Sequence, residues 1–412
     1  MSRWLFLCVV CCPTLLLNRL AADETSNPVS QIEIADIDPT DAAVRESVVR
    51  SLPFLESAGV AWMEERGCMS CHHVPFMIWT HRAAQSRGVM IDTNKLAEWD
   101  EWARKDSLSH RNAFKLEKTL FAALDPTAIP EAVRSKLAPV VDREFPAEKD
   151  FVARLTEVLQ PEELTAHQTV LVNTSKLPIY SASSSGGGLD VLGQLLLSRD
   201  EAADDPSVSE FYSGALDLME RMQLSDGSWT PGNQFATMRQ WPLPAANQAT
   251  TMWAALAIAD YEGPTGTHSQ QVDRAIAYVT QQPAQPDNHE WLATRLLFAH
   301  RPGTADETGN LRQLLLDARG ADGGWSWMKG GTSDPFTTGL AIYVLSRVGG
   351  SDPAVIANAR KYLLNSQQAD GSWLTQSRNI SNTTVPERLA ARDEIYHYWG
   401  TAWATLGLLE TL

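Results

Sequence analysis

Apolar residues return at spacings of three and four through the second half of this chain, the period of a helix with one buried face. Amphipathic stretches of this kind lie at 216–222 and 359–366, and more continuously apolar stretches lie at 251–259, 338–348 and 401–408. Alternating stretches of the two kinds predict helices joined in pairs. Nearer the start, Pro75 opens a helical segment that runs through Trp79 and Ala83 to Gly88, with proline in its first turn and glycine at its stop. Three segments break the pattern. Residues 1–22 hold an apolar run behind Arg3, residues 23–40 are acidic and carry Pro28 and Pro39, and residues 181–188 read Ser-Ala-Ser-Ser-Ser-Gly-Gly-Gly. The chain therefore divides into a leader with a flexible tail, an N-terminal helical region (41–180), a Ser/Gly loop and a second helical region (189–412).

The turns between paired helices repeat. Gln223-Leu224-Ser225-Asp226-Gly227-Ser228-Trp229 returns as Gln367-Gln368-Ala369-Asp370-Gly371-Ser372-Trp373, and a third copy, Arg319 to Trp325, has arginine in the place of glutamine. The gap from Trp229 to Trp325 is twice that from Trp325 to Trp373, so one unit is skipped. It falls at 272–301, where a Pro-rich loop ends near Trp291. The Asp-Gly pair makes the turn because glycine tolerates positive φ, and the tryptophan packs over it. Tyr362-Leu363 with Gln367, Gly371 and Trp373 resembles the QW repeat of squalene-hopene cyclases and the related prenyltransferase repeat proteins. That resemblance covers 205–412 well and the earlier half loosely. It implies an all-α protein, an α/α toroid with inner and outer rings of helices around a central cavity.

Cys68-Met69-Ser70-Cys71-His72 has the form of a covalent haem attachment site: two thiols to add across the porphyrin vinyls and a histidine to bind the iron. The other cysteines, Cys8, Cys11 and Cys12, fall in the apolar start, which reads as a secretory signal cleaved near Ala22. A lipoprotein anchor is disfavoured because Cys12 sits inside the apolar run. Structural zinc is short of thiols, a thioredoxin-like pair lacks its strand, and a plain Cys68–Cys71 disulfide is the remaining alternative. Haem c is assembled outside the cytoplasm, so motif and export signal agree: the chain is expected in the periplasm or cell envelope with one covalent haem c. Met63 stands as far before His73 as Met219 before Trp229. The haem segment thus falls on a repeat turn rather than in a separate cytochrome domain. This motif, together with residues 59–63, 74–77 and 398–403, is similar to exported bacterial proteins that join a cytochrome c motif to squalene-cyclase-like repeats, a likeness that carries no defined reaction.

His72 is the proximal ligand by motif. His73, Met77 and His81 lie too close in sequence to reach the far porphyrin face, which leaves Met90, His110, Met328 and His397 as possible sixth ligands. The fold's familiar chemistries lack their residues. No Asp-x-Asp-Asp acid motif is present (Ala202-Ala203-Asp204-Asp205 is nearest), and there are neither prenyltransferase zinc ligands nor a thioester Cys-Gly-Glu-Gln. Trp325, Trp327, Tyr396, Tyr398, Trp399 and Trp403 are expected near the cavity, as core or as walls for a polycyclic lipid or a sugar. Asp334 reads equally as a helix N-cap or as an acid. Lys+Arg total 34 against 50 for Asp+Glu, a net charge of −16 that deepens by two without Arg3 and Arg19. Such a surface repels nucleic acid and anionic lipid and favours solubility or a basic partner, while the plainer reading is that the charges solvate helix faces; a redox partner protein is expected from the haem. The leading expectation is an exported haem c protein that transfers electrons or senses redox state. The alternative is an enzyme or binding protein for an isoprenoid or carbohydrate in the cavity, with haem as redox partner or structural group.

Overall fold

The structure, a computed structural model, describes residues 38–66, 69–70, 72–107, 114–116, 118–175, 188–200, 205–232, 234–263, 265–301, 305–378 and 385–412. The chain divides into a short unit, Met1–Ala35, and a large one, Asp36–Leu412, to which every described residue belongs. The signal segment, Cys68, Cys71, His110 and nearly all of the Ser/Gly loop lie outside the described residues. Those described are helical with no strand among them, and no helix among them is long and apolar enough to cross a membrane.

Six helices form a closed inner ring: α2 (Val74–Ser86), α8 (Gly188–Leu197), α10 (Leu243–Glu262), α12 (His289–His300), α14 (Pro335–Val348) and α16 (Pro386–Glu410). Each packs on the next, and α16 returns to α2. Six more lie outside them: α1 (Asp41–Arg66), α3 (Thr93–Ser107), α9 (Pro206–Met222), α11 (Ser269–Gln281), α13 (Ala305–Asp317) and α15 (Pro353–Ser366). The sequence separates the two rings by how much of each helix is apolar. Along α12 every residue from His289 to Ala299 is buried, whereas α11 buries only Gln271, Val272, Ala275 and Val279, a single stripe. The skipped repeat unit is thus the pair α11 and α12. Prolines at the starts of α2, α9, α10, α14, α15 and α16 cost no helical hydrogen bond there. The closest inner pair, α14 and α16, meets at glycines: a Cβ on Gly339 would strike the backbone of Trp403, and one on Gly407 the carbonyl of Gly339.

The repeated turns join an outer helix to the inner helix after it, and they share one hydrogen-bond set. The indole Nε1 of Trp229, Trp325 and Trp373 donates to the carbonyl of Met219 (2.8 Å), Leu315 (2.7 Å) and Leu363 (2.7 Å) on the outer helix. Their backbone N–H groups donate to threonines of the inner helix, Thr251 (3.1 Å), Thr338 (2.9 Å) and Thr401 (3.0 Å). All three tryptophans are fully buried. The glutamines reach sideways: Gln223 Nε2 donates to the carbonyls of Gly227 and Gln271 on α11 (2.9 and 2.8 Å). Gln367 Nε2 does the same with Gly371 and with Ser47 of α1 (both 2.9 Å). That last bond joins the C-terminal repeat to the first helix and closes the outer ring.

Four helices stand apart from the rings: α4 (Lys118–Ala123), α5 (Glu131–Leu137), α6 (Glu148–Val158) and α7 (Pro161–Ser175). They have a hydrophobic core of their own around Leu116, Val140, Phe151, Leu155 and Leu171, and α4 packs on α9. This small core sits between α3 and α8 in the chain, so the 41–180 region contains two groups of helices.

Candidate functional site

The segment that carries the Cys-x-x-Cys-His sequence joins α1 of the outer ring to α2 of the inner ring, the same place the Asp-Gly turns occupy in later repeats. Ser70 takes the positive φ, 52°, that glycine takes elsewhere. Its Oγ accepts from the backbone N–H of His72 (3.4 Å) and His73 (3.1 Å), which holds both residues at the start of α2. His73 is sandwiched between Trp62 (4.5 Å, 13° between planes) and Tyr398 (4.2 Å, 29°). His72 meets Trp62 edge-on at 4.7 Å and Trp399 at 6.0 Å.

His72 is 7% exposed, and burial among these rings pushes its imidazole down to about 3. The same burial, with His72 beside it, holds His73 well below the usual histidine range. Both rings are therefore neutral at any ordinary pH, the form that binds a metal. His72 Nδ1 is engaged within the chain, by Ser70 Oγ at 3.3 Å and by His73 Nδ1, which leaves Nε2 as the nitrogen for an external ligand. The donor chemistry of His72 fits a haem iron.

The other candidate ligands are scattered. Met90 is 97% exposed on the surface. His397 Nε2 lies 2.8 Å from Ser372 Oγ in a repeat turn, with its ring against Phe54. Met328 is half-buried and its backbone pairs with Asn288. Of the three that sequence spacing sets aside, Met77 packs its sulfur against Gly59, His81 Nδ1 lies 2.7 Å from the Met77 carbonyl oxygen, and His73 is held in its sandwich.

Inside the inner ring is a small cavity of about 30 Å³, room for about one or two waters. Its walls are Phe76 and Trp79 of α2, Leu189, Gly193 and Leu197 of α8, Thr250 and Trp253 of α10, Leu340 of α14 and Trp403 of α16, with Phe235 from a π-helical turn. Of the six aromatics expected near the cavity, only Trp403 lines it. Trp325 secures a turn, and Tyr396, Tyr398 and Trp399 fill the core, because inner helices bury side chains toward both neighbours as well as the centre.

One acid faces the cavity, Asp190 on α8. Its Oδ2 accepts from Gln234 N at 3.2 Å, and burial raises its carboxyl to about 7 against the pull of that N–H and of Arg239. Such a group holds or releases a proton near neutrality. Close by, Glu290 is completely buried between two arginines: Arg239 Nη1 donates to Oε2 at 2.8 Å and Arg378 Nη1 to Oε1. Burial pushes Arg378 down to about 9. Arg239 lies over Phe235 (4.8 Å), Phe336 (4.8 Å) and Trp399 (5.0 Å), so Trp399 touches both the His72 turn and this charged group. Asp334 is a helix cap: Oδ1 accepts from Thr337 N (2.8 Å) and Oδ2 from Thr337 Oγ1 (2.9 Å), while burial raises it to about 6. Asp205, last of the Ala-Ala-Asp-Asp run, caps α9 through Ser207.

Asp190, Arg239, Glu290 and Arg378 carry no sequence motif. The one signal is a charged residue inside an otherwise apolar stretch, as in Gly-Leu-Asp-Val-Leu and His-Glu-Trp-Leu-Ala.

No family model matches the chain. Among curated proteins it is similar to drimenyl diphosphate synthase of Streptantibioticus cattleyicolor, with 31% identity over 130 residues, 27% of this chain and 24% of that protein. The chain thus spans about a quarter of the length of the relative it matches. This distant likeness to a terpene synthase agrees with a terpene-cyclase-like helical fold.

Proposed function

We propose that this is an exported c-type haem protein, in the periplasm or cell envelope, that transfers electrons or senses redox state with a partner protein. One observation carries the reading: the attachment sequence Cys68-x-x-Cys71-His72 occupies an outer-to-inner turn whose histidine is buried, neutral and already held through Nδ1. Cys68 and Cys71 would hold the group and His72 would bind its iron. Bound haem supplies a one-electron couple. The chain's part is to fix the His72 ring with Ser70, to hold His73 beside it between Trp62 and Tyr398, and to keep water from the proximal side. Protein matured with the haem ligation machinery should give the pyridine haemochrome spectrum of haem c. That spectrum should vanish in Cys68→Ala/Cys71→Ala. Colourless wild-type protein would end the proposal.

A second reading has its own support in the cavity. Walls of Phe76, Trp79, Phe235, Trp253 and Trp403, with Asp190, Gln194, Gln234, Arg239 and Thr250 as the polar groups, would suit a ligand of isoprenoid type with a polar end once the cavity widens. On this reading the toroid binds or transforms that ligand, and haem is its redox partner or a structural group.

A further inference from the structure

We propose that Asp217, Glu220 and His268 form a divalent-metal site, suited to zinc, that ties outer helix α9 to the start of α11. Asp217 and Glu220 stand three residues apart on α9, so their carboxylates share a face. Across from them, His268 immediately precedes α11 and is 4% exposed. Glu262, at the end of α10, secures that histidine at two points: Oε2 accepts its backbone N–H at 2.8 Å and Oε1 lies 2.7 Å from its Nδ1. A carboxylate on Nδ1 fixes the ring and turns Nε2 outward, the arrangement metal-binding histidines use.

Nε2 is buried and has no hydrogen-bond partner. It points between the two carboxylates, 3.5 Å from Asp217 Oδ1 and 3.6 Å from Glu220 Oε2, and the three donor atoms lie within 4.8 Å of one another. A tetrahedral zinc ion with bonds of about 2.0–2.1 Å separates its ligands by about 3.3–3.4 Å, so Nε2 stands within a few tenths of an ångström of the needed distance from each carboxylate, and the two exposed carboxylates would swing together to complete the site. Gln271 of α11 donates to the other oxygen of Glu220 and steadies it. One nitrogen and two carboxylates leave a fourth position for water. The site rests on a buried ring nitrogen that has no hydrogen bond and faces two carboxylates.

The effect would be structural. The same two helices already meet through Gln223 and Gln271, and a metal would join them a turn away. Calorimetric titration and thermal unfolding of the full chain with zinc chloride test this, with calcium chloride as the oxygen-seeking control. Zinc should bind one to one and raise the melting temperature, while calcium should do neither. His268→Ala and the surface pair Asp217→Asn/Glu220→Gln should each weaken zinc binding at least tenfold. The response should persist in Cys68→Ala/Cys71→Ala, which separates it from the thiols and from the haem proposal. A wild type without a zinc response would overturn the site. So would an unchanged response in Asp217→Asn/Glu220→Gln, or one that disappears with the two cysteines.

Discussion

Gln367 and Gln368 are neighbours in the last repeat turn, yet their surroundings differ entirely. The Gln367 amide donates to Ser47 and Gly371 and accepts from Ser47 Oγ and Arg50, while exposed Gln368 reaches only the Ser366 carbonyl at 3.3 Å. Gln367→Ala strips several partners at once and should cost about 2–3 kcal/mol in urea unfolding. Gln368→Ala should stay within about 0.5 kcal/mol. Asp190 gives a pH test. Its carboxyl is raised to about 7 in the folded state from an ordinary value near 4. Its contribution to stability is therefore whole below about pH 4 and lost as the pH rises to about 7. Measured as wild type minus Asp190→Asn, stability should fall across that window by up to about 4 kcal/mol and then level off. A flat difference would mean that the group ionises freely. The apolar run around Asp190 is its one signal in sequence; it is the packing of α2 and α10 on α8 that makes it a proton-holding group.

At the scale of elements, the turn is the working unit. Gly371 has φ +85°, and a Cβ there would collide with the Arg50 carbonyl of α1. Gly88 has a similar φ, +77°, but open space around it. Gly88→Ala should thus cost the backbone term alone, about 1–2 kcal/mol. Gly371→Ala, which also wedges α15 from α1, should cost roughly 3 kcal/mol or more by denaturant titration. Asp-Gly-x-Trp is legible in sequence because a positive φ and a buried indole demand particular residue types. Its partner across the turn is not, since Ser47 and Arg50 lie some three hundred residues away. The four helices around Phe151 and Leu155 were equally hard to foresee: their apolar residues are helical in period, and only contacts assign them to a core separate from the rings.

For the whole molecule, ring closure creates the cavity, because no single pair of helices encloses it. Gly193 lines that space and has only Ala257 within ordinary contact of a Cβ, so a larger side chain there should fill the cavity without parting the helices. If the cavity takes an apolar ligand, farnesol should quench tryptophan fluorescence saturably through Trp79, Trp253 and Trp403. Gly193→Leu should weaken that binding at least tenfold, and maltose should have no effect. Equal quenching by the filled variant would place the ligand elsewhere.

The sequence by itself determined the helical period, the paired arrangement, the turn chemistry and the Cys-x-x-Cys-His spacing. Each of these depends on residues close enough along the chain to share one turn or one helix face. Tertiary structure alone decided how the inner helices close into a ring, that His72 is held by Ser70 among Trp62, His73 and Trp399, and that Asp190, Arg239, Glu290 and Arg378 meet in the interior. Those outcomes depend on burial and on distances between segments remote in sequence, and no local pattern encodes them.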